Sequence, residues 1–566
     1  MNRFVRRAIV GAVSGGISSI ALLSLPGNAA WKLAGGSLYG ALYSIMGRAS
    51  RKAYVDQVMT SATFGIPLWG LISVVAVPLF SGVTSKWDAE GIRGHFAELI
   101  AWVLYGAFLG LLIQVISDLV ERIWGPEQER SIPAEAAAKR IVILGGGFAG
   151  SKTAECLEEA LRTNRSASIT LVSETNALLF TPMLAEVAGS SLEPSHISTP
   201  LRSSLRRVQF IRGRVAAIDL ANRRVSLEQG MEVDGATPTR EVGFDHLVLA
   251  LGSVSNFLGL HNVEKYAFNF KSLLDAIRIR NHVIEMFERA DRQPDLGRRA
   301  PLLTFVVAGG GFAGVELAGA LNDFAHGILA DYPNVSEHEV RVVLVHARER
   351  ILPELSDSLG KYAQVRMEAR GVEFRLNARV QDFEPGRVTL SDGTIAADTL
   401  IWTAGTAPNP IVRTLPLETD KRGAVCVAPS LAVPGHPGIW ALGDCAAVID
   451  AKSGKPCPPT AQFALREADI VAKNIAAELE GKPARGFHFD SLGSLCVIGH
   501  QTACAELSVP FARSKSIRFS GLFAWMLWRA IYLSKLPGIE RKIRVFVDWN
   551  IELFFPRDIV QTIDLQ

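Results

Sequence analysis

The sequence predicts an α/β fold with two Rossmann-like dinucleotide-binding domains. An all-α transmembrane region precedes them, and amphipathic helices suited to a membrane surface follow. Three observations carry this expectation. The hexapeptide Gly-Gly-Gly-Phe-Ala-Gly occurs at both 145–150 and 309–314. Uncharged apolar runs fill the N-terminal region. Aromatic and basic side chains interleave near the C-terminal end.

At 566 residues the chain exceeds one ordinary domain, and its net charge of +3 implies no nucleic-acid partner. A mean hydropathy of +0.21 points to membrane segments. The cysteines, Cys156, Cys426, Cys445, Cys457, Cys496 and Cys504, show no C-x-x-C spacing. They suggest neither a disulfide framework nor a zinc site, and no metal is implied.

Residues 1–124 are read as the transmembrane region, with two to four helices. Val58–Ser85 and Leu99–Ser117 carry no charge, and each reaches the roughly 20 residues that cross a bilayer. Ala8–Trp31 is also uncharged, and its Gly11, Gly15 and Gly16 suit close helix packing. Leu33–Gly47 is shorter. If four spans form, three basic groups fall on one side: Arg3, Arg6 and Arg7, then Arg48, Arg51 and Lys52, then Arg122. The positive-inside rule makes that side cytoplasmic. The expected location is the cell inner membrane, multi-pass, with the rest of the chain in the cytoplasm. A secretory signal peptide over 1–31 is the alternative, but no clean cleavage site follows. The two longer uncharged runs hold no ionisable group, which suits an anchor and opposes a proton pump. Residues 125–139 read as a linker.

Residues 140–252 contain the first dinucleotide unit. Arg140–Leu144 predicts a buried parallel strand and Ser151–Arg162 a helix. Between them Gly145, Gly147, Phe148, Ala149 and Gly150 form a G-x-G-x-x-G turn. The first glycine permits the tight turn, the second lets a pyrophosphate approach, and the third lets helix and strand pack closely. The pyrophosphate then rests on the free amides of the helix N-terminus. A second strand follows at Ser168–Glu174, and Glu174 stands at about the 20-residue spacing of the acid that binds ribose.

Residues 253–400 repeat the pattern. The strand Thr304–Ala308 leads into Gly309, Gly311, Phe312, Ala313 and Gly314, then a helix and the strand Val340–Val345. No acid follows. The chain reads His346-Ala347-Arg348, with Arg350 nearby. Arginines here suit a 2′-phosphate, with Arg348 as the candidate. The alternative is a plain ribose held by other groups, so NADH and NADPH both remain open.

Residues 486–566 form a membrane-associating segment. Leu522, Phe523, Trp525, Met526 and Ile531, then Ile543, Val545, Phe546, Trp549, Phe554 and Phe555, are interleaved with Arg529, Lys535, Arg541, Lys542 and Arg544. No run is long and uncharged enough to span, so the helices would lie in the interface. A dimer interface is the alternative reading, and the two roles can coexist.

Pro437–Ala446 ends in Gly443-Asp444 and resembles the second FAD motif of the two-dinucleotide-domain flavoprotein reductases. That resemblance implies that Asp444 holds the ribitol of FAD, that the first glycine turn binds FAD, and that the second binds the nicotinamide nucleotide. Phe244–Gly252 and Asp398–Gly405 resemble the crossover strands of the same family. They imply an FAD domain, 140–252 and 401–485, split around the NAD(P)H domain. Val215, Gly252 and Gly405 are placed by resemblance at the cofactor site. A disulfide substrate would need a cysteine pair near the flavin, and Asn176–Gly189 holds none. The absence of cysteine between Cys156 and Cys426 also opposes a sulfide:quinone reductase.

That segment also resembles the type II NADH:quinone oxidoreductases. So do Phe270–Ala276, Arg350–Pro353, Pro458–Gln462, Trp525–Leu533, Leu536–Gly538, Asp548-Trp549 and Phe555–Asp558. The match covers nearly all of 140–566 and leaves the N-terminal membrane region outside it. It implies an FAD enzyme that oxidises NADH or NADPH and reduces a membrane quinone. It further implies that Thr181 and Pro182 line the flavin and that Glu316 lies between nicotinamide and flavin. Alternatively, Glu316 is a helix-start acid favoured by the dipole. Ala461 and Gln462 begin the family's quinone motif, in which a second glutamine follows four residues after the first. Here that position is Arg466, which could hold a quinone carbonyl or mark a different acceptor. The expected partners are a membrane quinone and the lipid bilayer, and the resemblance alone implies a homodimer. Two rivals stay open: a flavoprotein reductase serving a protein acceptor, and a redox-sensing membrane scaffold.

Overall fold

The computed structural model describes residues 3–25, 28–46, 54–77, 96–124, 138–162, 164, 166–205, 207–228, 239–508 and 516–561. The chain divides into two compact units, Met1–Glu129 and Arg130–Gln566.

The N-terminal unit is built from helices at Arg3–Ser18, Ala29–Met46, Tyr54–Trp69 and Phe96–Trp124. The first continues as a 3-10 turn to Leu22, and the third as a π-helical turn to Ala76. They pack as two close pairs. A Cβ added to Gly11 would overlap the carbonyl of Gly40, and one on Gly15 would overlap that of Gly36. In the second pair, Cβ atoms on Gly65 and Gly106 would overlap the carbonyls of Trp102 and Ser61. Small residues let apolar helices associate where hydrophobicity alone gives no preference for a neighbour over lipid. The Tyr105 hydroxyl donates to Gly36 O at 2.9 Å, and Trp102 Nε1 donates to Ser73 Oγ at 3.0 Å.

Three stretches are long and apolar enough to cross a membrane: Val5–Leu22, Gln57–Ala76 and Glu98–Val120. The apolar run Ala8–Trp31 is not one continuous helix, because it breaks after Leu22. Leu33–Gly47 falls largely within the second helix, which is not among those three. Arg48, Arg51 and Lys52, residues 78–85 of the Val58–Ser85 run, and residues 125–137 of the linker lie outside the described residues.

The larger unit contains two parallel five-stranded sheets. The first runs Ile439–Ala441, His246–Leu249, Lys139–Leu144, Ala167–Ser173, Val208–Arg212. The second runs Phe268–Asn269, Thr399–Trp402, Thr304–Ala308, Arg341–His346, Val372–Leu376. The central strands are buried along nearly their whole length, as expected when helices cover both faces. Each glycine turn leaves the middle strand of its sheet, where the winding reverses and a ligand crevice opens. Because Ile439–Ala441 joins the first sheet, that domain is split around the second. Ser253–Ser255 and Thr406–Pro408 pair antiparallel where the chain passes between the two.

The C-terminal segment begins with an antiparallel sheet, Gly493–Gly499, Thr502–Ser508 and Ser516–Ser520, that the sequence reading did not foresee. Helices Gly521–Lys535 and Ile539–Ile551 follow.

The glycine packing of the N-terminal unit is testable. Gly106→Val should lower the unfolding temperature of the detergent-solubilised protein, since overpacking costs about 1–3 kcal/mol. Gly70→Ala, where an added Cβ meets nothing within 4 Å, should not lower it.

Candidate active site

Both glycine turns leave the chain no room for a side chain. Gly145 has φ +112° and Gly309 φ +120°. A Cβ on Gly145 would overlap Ala250 O. One on Gly150 would overlap Gly145 O, and one on Gly314 would overlap Gly309 O. Gly147 differs, because a Cβ there would meet nothing within 4 Å. This open face adjoins the start of the helix Phe148–Ala160, which has no side-chain cap. Free amides beside an open glycine suit a pyrophosphate.

The Gly-Asp turn packs onto that helix. Gly443 has φ +70°, and a Cβ there would lie 3.2 Å from Ala149 Cβ and 3.8 Å from Ala464 Cβ. The first glycine turn, Asp444 and the helix Ala461–Leu479 therefore converge. Glu467 Oε2 accepts the Gly443 amide at 2.7 Å, and burial pushes this carboxyl up to about 7. Asp444 Oδ2 accepts the Ser253 hydroxyl at 2.6 Å, and Ser253 Oγ accepts Lys271 Nζ at 2.6 Å. Burial pulls the Lys271 amine down while Asp444 pulls it up. Glu174 is exposed just beyond its strand, Thr181 and Pro182 open a 3-10 turn, and Val215 lies half-buried opposite Leu227. Gly252 has φ +67° and an open face, whereas Gly405 packs against Asn256 O. The open Gly147, the uncapped amides and the Lys271–Ser253–Asp444 chain fit FAD.

In the second unit the helix Phe312–Gly327 starts at Gly311, also without a side-chain cap, and Phe312 and Ala313 form its first turn. The Gly310 amide donates to His346 Nδ1 at 3.1 Å. Arg350 corrects part of the sequence expectation. Its guanidinium donates to Leu352 O, Leu355 O and Pro353 O and pairs with Asp357 at 3.1 Å. It braces its own loop, while Arg348 stays exposed.

Glu316 lies beyond the first turn of its helix, which carries no acid, so the helix-dipole explanation does not apply. It accepts the Val497 amide at 3.3 Å. Burial pushes its carboxyl up to about 8, with the Val497 hydrogen bond opposing and Glu186 adding to the rise. Glu186 is also pushed up to about 8, by burial against the pull of Arg529, and its Oε1 accepts Trp549 Nε1 at 3.1 Å. Arg529 and Arg557 each pair with Glu552 at 3.0 Å. The Arg529 guanidinium lies 3.7 Å from the Trp525 ring centre. A cavity of about 40 Å³ is lined by Pro182, Glu186, Glu316, Trp528, Arg529 and other side chains. It brings together Pro182 and Glu316, which the sequence separates widely. A larger cavity of about 470 Å³, lined by Asp323, Arg370, His500 and Phe555 among others, does not reach Glu316.

Ala461 and Gln462 begin their helix. Gln462 Nε2 donates to Ser491 Oγ at 3.2 Å and Gly493 O at 3.3 Å. Arg466 is exposed and stands 5.5 Å from the Phe489 ring centre. Lys535 neighbours it, its amine pulled down by burial and by Arg466. The sequence reading gave no role to Ser253, Lys271, Glu186 or Glu467, and placed Lys535 only among the basic residues of the membrane-associating segment. Only Lys271 and Glu186 carried a signal, since both lie within segments that resemble the family.

All six cysteines are free. Cys496 and Cys504 face each other across the C-terminal sheet, but both thiols are buried. Burial holds Cys496 well above its ordinary value and pushes Cys504 up to about 12. Such thiols lack the thiolate that exchange chemistry needs.

Two nucleotide crevices, buried acids and no reactive dithiol define a flavin-dependent pyridine nucleotide oxidoreductase. The family described as pyridine nucleotide-disulphide oxidoreductase matches residues 139–468, and that described as NDH2 C-terminal domain matches 491–558. The type II NADH:quinone oxidoreductase Ndh of Mycobacterium tuberculosis is 33% identical over 434 residues, covering 74% of this chain and 89% of the relative. The type II NADH:quinone oxidoreductase of Staphylococcus aureus is 30% identical, covering 67% and 92%. Among solved structures, NDH2 from Plasmodium falciparum in complex with NADH aligns with a TM-score of 0.66 and 18% identity, over 75% of this chain and 99% of that one. The chain belongs to the type II NADH:quinone oxidoreductase family.

Two outcomes follow from the site. Asp444→Ala should weaken FAD retention roughly 10- to 100-fold, the equivalent of one lost charged hydrogen bond, read as flavin-to-protein ratio after dialysis. For Glu316, the folded pKa of about 8 exceeds the ordinary 4.5. Its stabilisation is therefore present below 4.5 and lost as pH rises through about 8. Glu316→Gln should flatten that part of the unfolding-temperature profile.

Proposed function

We propose that this protein is a membrane-bound, FAD-dependent NADH:quinone oxidoreductase that reduces a membrane quinone without pumping protons. The balance is NADH + H⁺ + quinone → NAD⁺ + quinol. Bound FAD supplies the redox chemistry between the two substrates. The observation that carries the reading is the cavity that joins Pro182 to Glu316 and Glu186. Burial pushes both carboxyls up to about 8, in a reaction that consumes a proton.

The first glycine turn and Glu174 would hold the adenosine half of FAD, and Asp444 its ribitol, with Ser253 and Lys271 fixing the carboxylate. The second turn would hold the nicotinamide nucleotide. Trp525, Trp528 and Tyr532 wall the acids from water. Gln462 and Arg466 mark the quinone side. Leu522, Phe523 and Met526 on one C-terminal helix, and Ile543, Phe546 and Val547 on the other, are exposed. With Lys535, Arg541 and Lys542 beside them they suit a lipid surface, and a homodimer could share part of this face. In the N-terminal unit Val13, Ile17, Phe64, Leu71, Leu104 and Leu111 face outward, which supports lipid around the helices. The reading is a multi-pass protein of the cell inner membrane with its catalytic unit in the cytoplasm.

Purified protein should oxidise NADH with a short-chain quinone at rates of at least several per second, within the usual enzyme range. Flavin that NADH bleaches promptly but quinone does not restore would favour a protein acceptor instead. Glu316→Gln should slow quinone-dependent turnover by about 10²-fold if this acid delivers the proton.

A further inference from the structure

The internal repeat allows the second nucleotide site to be compared with the first within one molecule. The Gly145 amide donates to Val172 O and the Gly309 amide to Val345 O, each at 2.8 Å. The two turns therefore superpose with Ser173 matching His346 and Glu174 matching Ala347. The glycine contacts agree, since a Cβ on Gly146 would strike Ser173 and one on Gly310 would strike His346. Where the first unit presents a carboxylate to the ribose, the second presents a methyl group, and Arg348 follows.

His346 completes the change of chemistry. Its Nδ1 accepts the Gly310 amide at 3.1 Å, so the ring proton sits on Nε2. That Nε2 is buried and has no partner among the described residues, and the ring packs beneath Gly310 with Arg348 near it. Arg348 is exposed, whereas Arg350 is committed to Leu352 O, Pro353 O, Leu355 O and Asp357. The Glu354 carboxylate stands 3.5 Å from where a Cβ on Gly311 would lie. It faces the second glycine of the motif, where pyrophosphate approaches, and not the strand end.

We propose that His346, Ala347 and Arg348 form a site for the 2′-phosphate of NADPH, so that the enzyme accepts NADPH alongside NADH. Ala347 removes the carboxylate that would repel the phosphate. Arg348 supplies the compensating cation, and the His346 ring, bonded to the Gly310 amide, braces the turn. The proposal rests on the nicotinamide assignment of this turn and on nothing at the quinone side.

The test uses the purified holoenzyme. Calorimetric titration with adenosine 2′,5′-bisphosphate and with adenosine 5′-monophosphate reads the 2′-phosphate directly, and kcat/KM is measured for NADPH and NADH. The bisphosphate should bind more tightly by about tenfold or more, the scale of one charged hydrogen bond. Arg348→Gln should erase that preference and lower the NADPH-to-NADH ratio of kcat/KM by about the same factor. Ala347→Glu should reverse the preference. Equal binding of the two nucleotides by the unaltered enzyme, or an unchanged ratio in Arg348→Gln, overturns the proposal. Nucleotide binding does not require a quinone, so loss of quinone reduction with both nucleotides would count against the proposed function alone.

Discussion

The larger unit is arranged around backbone approaches that only glycine allows. At Gly145 the end of the first strand sits directly against Ala250 O of the crossover strand, and Gly150 brings the helix down onto Gly145 O. With any side chain there, helix and crossover would have to separate. Because they do not, the helix amides face an open Gly147, and Gly443 can settle against Ala149. Asp444 then reaches Ser253, and Ser253 reaches Lys271. The Asp444–Ser253–Lys271 chain is assembled on that contact. The same device recurs at Gly309 and Gly314, at the end of the middle strand of the second sheet.

The C-terminal segment does more than offer an apolar surface. Its first strand gives the Val497 amide to Glu316 and the Gly493 carbonyl to Gln462. It also packs so closely on the nicotinamide helix that a Cβ on Gly319 would lie 2.8 Å from the Ile498 carbonyl carbon. One strand therefore holds both Glu316 and Gln462 in place. Enclosure pushes the Glu316 carboxyl up to about 8, because a buried carboxylate loses its hydration. The acid's chemistry is thus set by a segment remote in sequence.

How far the sequence could be read follows from this distinction. The glycine turns were legible because a tight strand-to-helix turn demands glycine at fixed, short spacings. The C-terminal sheet was not, since the strand Gly493–Gly499 shows no clean inside–outside alternation. Ser253 and Asp444 are 191 residues apart, and no local pattern announces their pairing. Arg348 and Arg350 look alike in sequence, yet one is exposed and the other is consumed by three carbonyls. Only the path of the loop separates them. Glu316 could be read as a helix-start acid until the fold placed it past the first turn and under Val497.

The charges behind Glu316 give its neighbour a different character. Arg529 and Arg557 share one carboxylate, Glu552, while Asp323 pairs with Arg370 and also faces Arg557, so three cations meet two anions. Ionising Glu186 would supply a third anion, and Arg529 does pull its carboxyl downward. Burial outweighs that pull, and the proximity of Glu552 adds to the rise. The cluster therefore keeps an uncompensated positive charge beside two acids whose carboxyls burial pushes up to about 8. Trp525 and Trp549 lie against the Arg529 guanidinium, 3.7 and 4.7 Å from its central carbon to their ring centres, and their π faces offset part of the missing anion. Such a site favours any negative charge that arises within it. Loss of a proton from either acid is the smallest change that would restore balance.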